Sequence, residues 1–265
     1  MKNLKQFFDF YLDSSLHVGL AVLAYSKMVS LHFHQNSNYN WLYFVFFATI
    51  VGYNFLKYYD VFKNRSSSFI QKYSAIFAVS LLAIFASIYL FFNLNIFLEI
   101  NIVCCSFLVI LYPFLRRFWY LKTLIVAFCV TVFIFAPFLY LSQIPTMSLG
   151  NETLLQEYIY MLKIFLFILA SMMPFEIYDA QYDDKMLQTI PQKFGVKIAK
   201  SIGYFLISGF VILSFFEKKT FKIDLFIAAL MILAVLFTNK KRSKYFCSFW
   251  VESIPIFWLL LLVFG

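Results

Sequence analysis

Long apolar runs, each near twenty residues, alternate with short polar clusters along almost the whole chain. The runs lie near 14–33, 41–60, 70–92, 94–112, 119–141, 155–177, 199–216, 222–238 and 246–264. The breaks are rich in Asn, Ser and charge: Gln35-Asn36-Ser37-Asn38, Ser66-Ser67-Ser68, Asn93-Leu94-Asn95, Ser148-Leu149-Gly150-Asn151, and Asn239 to Arg242. An α-helix needs about 20 apolar residues to cross the hydrocarbon core, and a barrel strand roughly half that. The runs have the helical length and do not alternate, so the pattern predicts nine transmembrane helices. Helices also satisfy their own backbone hydrogen bonds, which lipid cannot do for them.

Composition strengthens this reading. The chain is 63% hydrophobic and 13% charged, against about 45–50% and roughly 25% in soluble domains. Its mean hydropathy is +0.80. Such a sequence must use lipid as part of its solvent. The 37 Phe and 18 Tyr suit lipid-facing and interface positions. Asp9, Asp13, Ser14 and Ser15 make the first fifteen residues too polar for a signal-peptide core. The loops are short, so residues 1–265 are expected to form a single polytopic membrane domain. Cys104, Cys105, Cys129 and Cys247 lack metal-ligand spacing and read as thiols in apolar segments.

Charge then orients the segments. One side of the nine-span scheme collects Lys2, Lys5, Lys57, Lys63, Arg65, Lys72, Arg116, Arg117, Lys122, Lys185, Lys193, Lys197, Lys200, Lys240, Lys241, Arg242 and Lys244. The other side has Lys218, Lys219 and Lys222, while Lys27 and Lys163 fall inside spans. The positive-inside rule predicts a cytoplasmic N-terminus and an external C-terminus, in a bacterial inner membrane. The net charge of +9 follows from this asymmetry and suits anionic lipid headgroups. It gives no reason to expect a nucleic-acid partner.

Chemistry is expected where carboxylates crowd a span end, because charge at membrane depth is costly. Glu176, Asp179, Asp183 and Asp184 cluster at the cytoplasmic end of the sixth span. If that helix continues, Glu176, Asp179 and Asp183 fall at i, i+3 and i+7, on one face. Three facing carboxylates repel unless a cation lies among them. Mg²⁺ is the natural choice, since it takes oxygen ligands and bridges carboxylates to phosphates. The plainer reading is an acidic helix end leading into a solvated loop. Among smaller features, His17 reads as a satisfied interface histidine, and Lys163 as a deep charge with no assignable partner.

Residues 174–195 read Pro-Phe-Glu-Ile-Tyr-Asp-Ala-Gln-Tyr-Asp-Asp-Lys-Met-Leu-Gln-Thr-Ile-Pro-Gln-Lys-Phe-Gly. This resembles the second aspartate-rich motif of the UbiA-type intramembrane prenyltransferases, Asp-x-x-Asp-x-x-x-Asp followed by Thr-Leu-Pro-x-x-x-Gly. Glu176 takes the first acidic place, and Asp179 and Asp183 match the next two. Thr189, Pro191 and Gly195 match the tail. Tyr112-Pro-Phe-Leu-Arg116 is similar to the family's Tyr-x-x-x-Lys, with Arg in place of the phosphate-contacting Lys. Arg grips phosphate in a bidentate way, so the exchange is chemically sound.

The first aspartate-rich motif departs from the family. Where Asn-Asp-x-x-Asp-x-x-x-Asp is usual, this chain has Asn54-Phe-Leu-Lys-Tyr-Tyr-Asp60-Val-Phe62. Asn54 matches, but Phe55, Tyr58 and Phe62 replace the acids, and Asp60 is about 240° around the helix from Asn54. Lys57 shares the face of Asn54. It either substitutes for a metal at the diphosphate or pairs with the second acidic cluster.

The resemblance implies an all-α bundle of nine transmembrane helices with a central cavity open near the cytoplasmic side. It implies transfer of a polyprenyl group from a prenyl diphosphate to an aromatic or lipid acceptor, with Mg²⁺ as cofactor. Glu176, Asp179 and Asp183 are then the metal ligands, and Asp179, Asp183 and Lys57 the catalytic set. Asn54, Tyr112, Arg116 and Lys193 are the substrate contacts. The alternative is a non-catalytic protein of the same fold that binds an isoprenoid or phospholipid, or that serves as a membrane assembly partner. A transporter is disfavoured, since no internal repeat or mid-membrane broken helix pair is evident.

Overall fold

A computed structural model of the chain describes residues 2–33, 39–63, 73–115, 121–141, 151–184 and 187–265. The described residues form helices α1 (Lys2–Asp13), α2 (Leu16–His32), α3 (Tyr39–Lys63), α4 (Ser74–Phe91), α5 (Ile96–Leu115), α6 (Leu121–Leu141) and α7 (Asn151–Asp179). There follow the single turn α8 (Ile190–Lys193), then α9 (Gly195–Ser214) and α10 (Phe221–Phe237). A π-helical turn, Phe246–Val251, runs into α11 (Glu252–Phe264). No strand occurs among the described residues.

Among the described residues, each predicted apolar run is occupied mostly by helix. Six of the described helices are long and apolar enough to cross a bilayer: Ser74–Phe91, Ile96–Leu115, Lys122–Tyr140, Leu155–Asp179, Gly195–Ser214 and Phe246–Phe264. The pair α1 and α2 meets the same test as one span bent by 51°. The expectation of nine spans thus narrows to six or seven on length and hydropathy. α3 carries Asn54, Lys57, Asp60 and Lys63 towards its C-terminal end, and α10 is only 17 residues long. The protein is a multi-pass α-helical membrane protein.

The chain divides into two compact units, Met1–Pro113 and Phe114–Gly265. In the first, α3 packs on both α2 and α4. The break between α1 and α2 falls at Ser15, whose φ of 61° is left-handed. A break within an apolar region must find partners for its backbone groups, and α3 supplies them. Asn54 Nδ2 donates to the Ser14 carbonyl at 3.1 Å and to Ser80 Oγ at 2.9 Å, while its Oδ1 accepts from Ser15 Oγ at 2.6 Å. Tyr58 donates to the Asp13 carbonyl at 2.8 Å. His17, buried, meets the Tyr11 hydroxyl at 2.8 Å through Nδ1. Asn95 opens α5 as the sequence predicted, with its side chain accepting from the Leu98 N–H.

In the second unit α7 is the central helix, packed against α6 and α9, and α9 packs in turn on α10. Phe167, Phe210 and Trp258 are fully buried, with ring centroids 5.0–5.5 Å apart. Gly203 allows the close passage of α9 and α10, since a Cβ there would lie 3.3 Å from Val235. Met173, Ile177, Ile190 and Ala199 form a buried cluster that fastens the end of α7 to α8 and α9.

Candidate active site

The acidic cluster does converge, but not along one helix face. α7 ends at Asp179, and the chain turns back on that residue's carbonyl, which accepts from the N–H groups of Tyr182 and Asp183, both at 2.8 Å. The turn brings Asp183 to a cation that Glu176 also holds. Lys122 Nζ, in the first turn of α6, is 2.7 Å from Asp183 Oδ2 and 3.1 Å from Glu176 Oε1. Glu176 is 4% exposed, and its other oxygen, Oε2, is buried with no hydrogen-bond partner.

The Thr-Ile-Pro tail has a structural role that the motif alone does not reveal. Gln192 reaches back from α8 and donates to the carbonyls of Ala180, at 3.3 Å, and Asp183, at 3.1 Å. Its Oε1 accepts from the Thr189 N–H at 3.0 Å, closing the start of α8. Pro191 sits in the first turn, where its missing N–H costs nothing. Gly195 joins α8 to α9 with φ of 86°, a conformation that disfavours any side chain. Matching the motif therefore amounts to having the parts that clamp the acidic turn.

The remaining expected residues fall into separate settings. Asn54 is committed to its three hydrogen bonds around the α1–α2 break. Lys57 donates to the carbonyl and carboxylate of Asp13, both at 3.3 Å. Tyr112 is half-buried on α5. Lys193 is exposed, with Nζ 5.4 Å from the Phe194 ring centroid. Arg116 lies outside the described residues. The cation bridging Glu176 and Asp183 is Lys122, which sequence reasoning counted only as part of the positive side. A lysine opening an apolar helix, on the side that also carries the acids, was the available signal.

Mg²⁺, which the resemblance implies, does not fit this arrangement. Among the described residues no three His, Cys, Asp or Glu side chains come together as metal ligands. One oxygen each of Glu176 and Asp183 is already on Lys122.

A second charged cluster, which sequence reasoning missed, lies in the same unit. Lys163 on α7, 1% exposed, contacts Glu217 Oε2 at 2.6 Å and Asp224 Oδ2 at 3.0 Å. Thr220 donates to those same two oxygens, at 3.3 and 3.0 Å, and Trp258 Nε1 donates to Asp224 Oδ1 at 3.2 Å. The ammonium also sits 4.8 Å from the Tyr160 ring centroid. Lys163 therefore has two acidic partners.

Neither a protein-family profile nor a curated protein matches the sequence. Solved structures do match the fold. A UbiA homolog from Aeropyrum pernix superposes with a TM-score of 0.66 at 13% identity, over 94% of this chain and 99% of its own. A digeranylgeranylglyceryl phosphate synthase superposes with a TM-score of 0.55 at 17% identity, over 98% of both chains.

Proposed function

We propose that this chain, which has the fold of the UbiA-type prenyltransferases, transfers a prenyl group from a prenyl diphosphate to an aromatic or lipid acceptor in the membrane. The observation that carries the reading is the bridging of Glu176 and Asp183 by Lys122 at the end of α7, on that fold. The diphosphate approaches this end, with Lys122, Lys193 and Arg116 supplying positive charge. The bond from the allylic carbon to diphosphate oxygen breaks, and the diphosphate leaves with the electron pair. The acceptor's nucleophilic atom then bonds to that carbon and gives up its proton to a carboxylate, for which Asp183 is the more exposed candidate. Developing negative charge on the leaving group is what a fixed ammonium stabilises. Asp179 sets the turn that carries Asp183. Asn54 and Lys57 are held at the α1–α2 break and are given no part in the step.

Purified protein is incubated with radiolabelled prenyl diphosphates of several lengths, together with membrane lipid extract and aromatic acids. Labelled lipid product is expected from wild type and lost in Asp183→Asn. Absence of product at every chain length, with and without divalent metal, sinks the proposal. In the same reading the nine helical runs are nine spans, with Lys2 cytoplasmic and Gly265 external. A topology reporter fused after Gly265 then scores as external, and a cytoplasmic signal reduces the span count.

A further inference from the structure

Glu176 and Asp183 present their near oxygens to a single point, and a side chain of this protein already stands there. Two carboxylates in a mostly buried setting repel one another and are costly to leave uncompensated. The family's solution is a divalent cation, but this chain supplies an ammonium from α6, at 2.7 and 3.1 Å. A divalent ion in that position would meet a like charge at contact distance, so the metal and Lys122 exclude each other.

We infer that Lys122 is the resident cation of the acidic turn, standing in for a divalent metal, and that the resting protein neither needs nor binds one there. The inference rests on the reading above only in taking the end of α7 as the reacting site, and its test uses no turnover. It gives Lys122 a task besides meeting the diphosphate: by neutralising one of the two charges it lets Asp183 fold back against Glu176. The lysine is part of the apolar helix α6, so its charge is present whatever the metal concentration. The same reasoning explains why one acid is Glu. Its longer side chain reaches the ammonium from inside α7, while Asp183 comes to it on a loop.

The test is thermal unfolding of the full chain in detergent, with and without millimolar Mg²⁺ or Mn²⁺, alongside Mn²⁺ binding followed by electron paramagnetic resonance. Wild type and Lys122→Arg should show no shift with metal and no bound Mn²⁺. Lys122→Met should unfold several degrees lower, regain most of that loss with Mg²⁺ or Mn²⁺, and bind Mn²⁺ that is lost again in K122M/D183N. A Mn²⁺ affinity in wild type within threefold of that in Lys122→Met overturns the inference. So does a Lys122→Met protein that is as stable as wild type and indifferent to metal. If Lys122→Met fails to fold, the variant K122M/E176Q/D183N decides. Removing all three charges should restore folding, whereas a triple variant that also fails shows the lysine is kept for packing, and the inference falls. Metal shifts as expected with no prenyl transfer would leave Lys122 in this role and remove only the proposed function.

Discussion

α7 carries two clusters of the same charge arithmetic, one lysine between two carboxylates, and they are built to opposite ends. Lys163 and Glu176, the α7 member of each, lie about 20 Å apart along the helix at 1.5 Å per residue. At the Lys163 cluster, the lysine and Asp224 are each 1% exposed. Thr220 and Trp258 occupy carboxylate oxygens, and aromatic rings from Tyr160 and Trp258 flank the ammonium. At the Lys122 cluster, the lysine is 15% and Asp183 22% exposed. One acid there rides on a turn, while each cluster keeps one carboxylate oxygen without a hydrogen-bond partner, Glu176 Oε2 here and Glu217 Oε1 in the other. The first cluster is closed over by side chains from three helices and the α9–α10 turn. The second is more open around Lys122 and Asp183, and in the proposed function that openness is what lets it meet a substrate.

The largest effect should come from opening the closed cluster. Lys163→Met leaves the buried Asp224 and the 14%-exposed Glu217 without their cation, and breaking a buried pair from one side costs about 3–5 kcal/mol. The protein should lose that much unfolding free energy in denaturant titration, if it folds at all. Divalent metal should restore little of it, because Lys163 and Asp224 are each 1% exposed and Mg²⁺ gives up its waters reluctantly. A loss below about 1 kcal/mol, the scale of an exposed pair, would erase the contrast between the clusters.

Much of this molecule is written in its hydrophobic pattern, because lipid enforces run length. The described residues of the nine runs are mostly helical, and Asn95 marked its boundary through a side-chain cap. The convergence of Glu176 and Asp183 was legible in spacing, but for the wrong geometric reason. An i, i+3, i+7 face requires the helix to continue, whereas the structure ends it at Asp179 and uses a turn. The partners of the acids were not legible. Lys122 lies 54 residues from Glu176 and 61 from Asp183, and charge patterning counts such a lysine for topology, not for pairing. The same blindness left Lys163 without partners, since Glu217 and Asp224 lie 54 and 61 residues away along the chain. Asn54 matched a motif whose acids are gone, and the structure shows it spent on a backbone break that hydropathy smooths over.

A middle-sized effect tests whether the open cluster depends on its tail. Gly195 has φ of 86°, and a Cβ there meets nothing within 4 Å, so any cost of Gly195→Ala is backbone strain alone. Left-handed backbone costs an L-residue roughly 1–2 kcal/mol, and less for Asn. Gly195→Ala should therefore lower the unfolding midpoint, with Gly195→Asn in between. If Ala and Gly are equally stable, the α8–α9 junction is not held in that conformation.

The smallest effect on stability should be the most telling about function. Gln192 is half-buried and makes three hydrogen bonds, two to the carbonyls of Ala180 and Asp183 and one from the Thr189 N–H. Because the side chain is half-buried, water replaces its amide at the turn and the net loss should stay within about 1 kcal/mol. Gln192→Ala should thus fold almost normally. What it releases is the backbone of Asp183, and displacing a reacting group by about 1 Å can cost roughly a hundredfold in rate. Prenyl transfer should fall steeply while the Lys163 cluster, which shares no hydrogen bond with Gln192, keeps its contribution to stability. Gln192→Glu sharpens the point. It keeps the acceptor for Thr189 but loses both donors and adds negative charge beside Asp183, so it should transfer no better than Ala. Full transfer activity in a well-folded Gln192→Ala protein would mean the turn holds itself, and that the tail matters for joining α8 to α9 rather than for placing the acid.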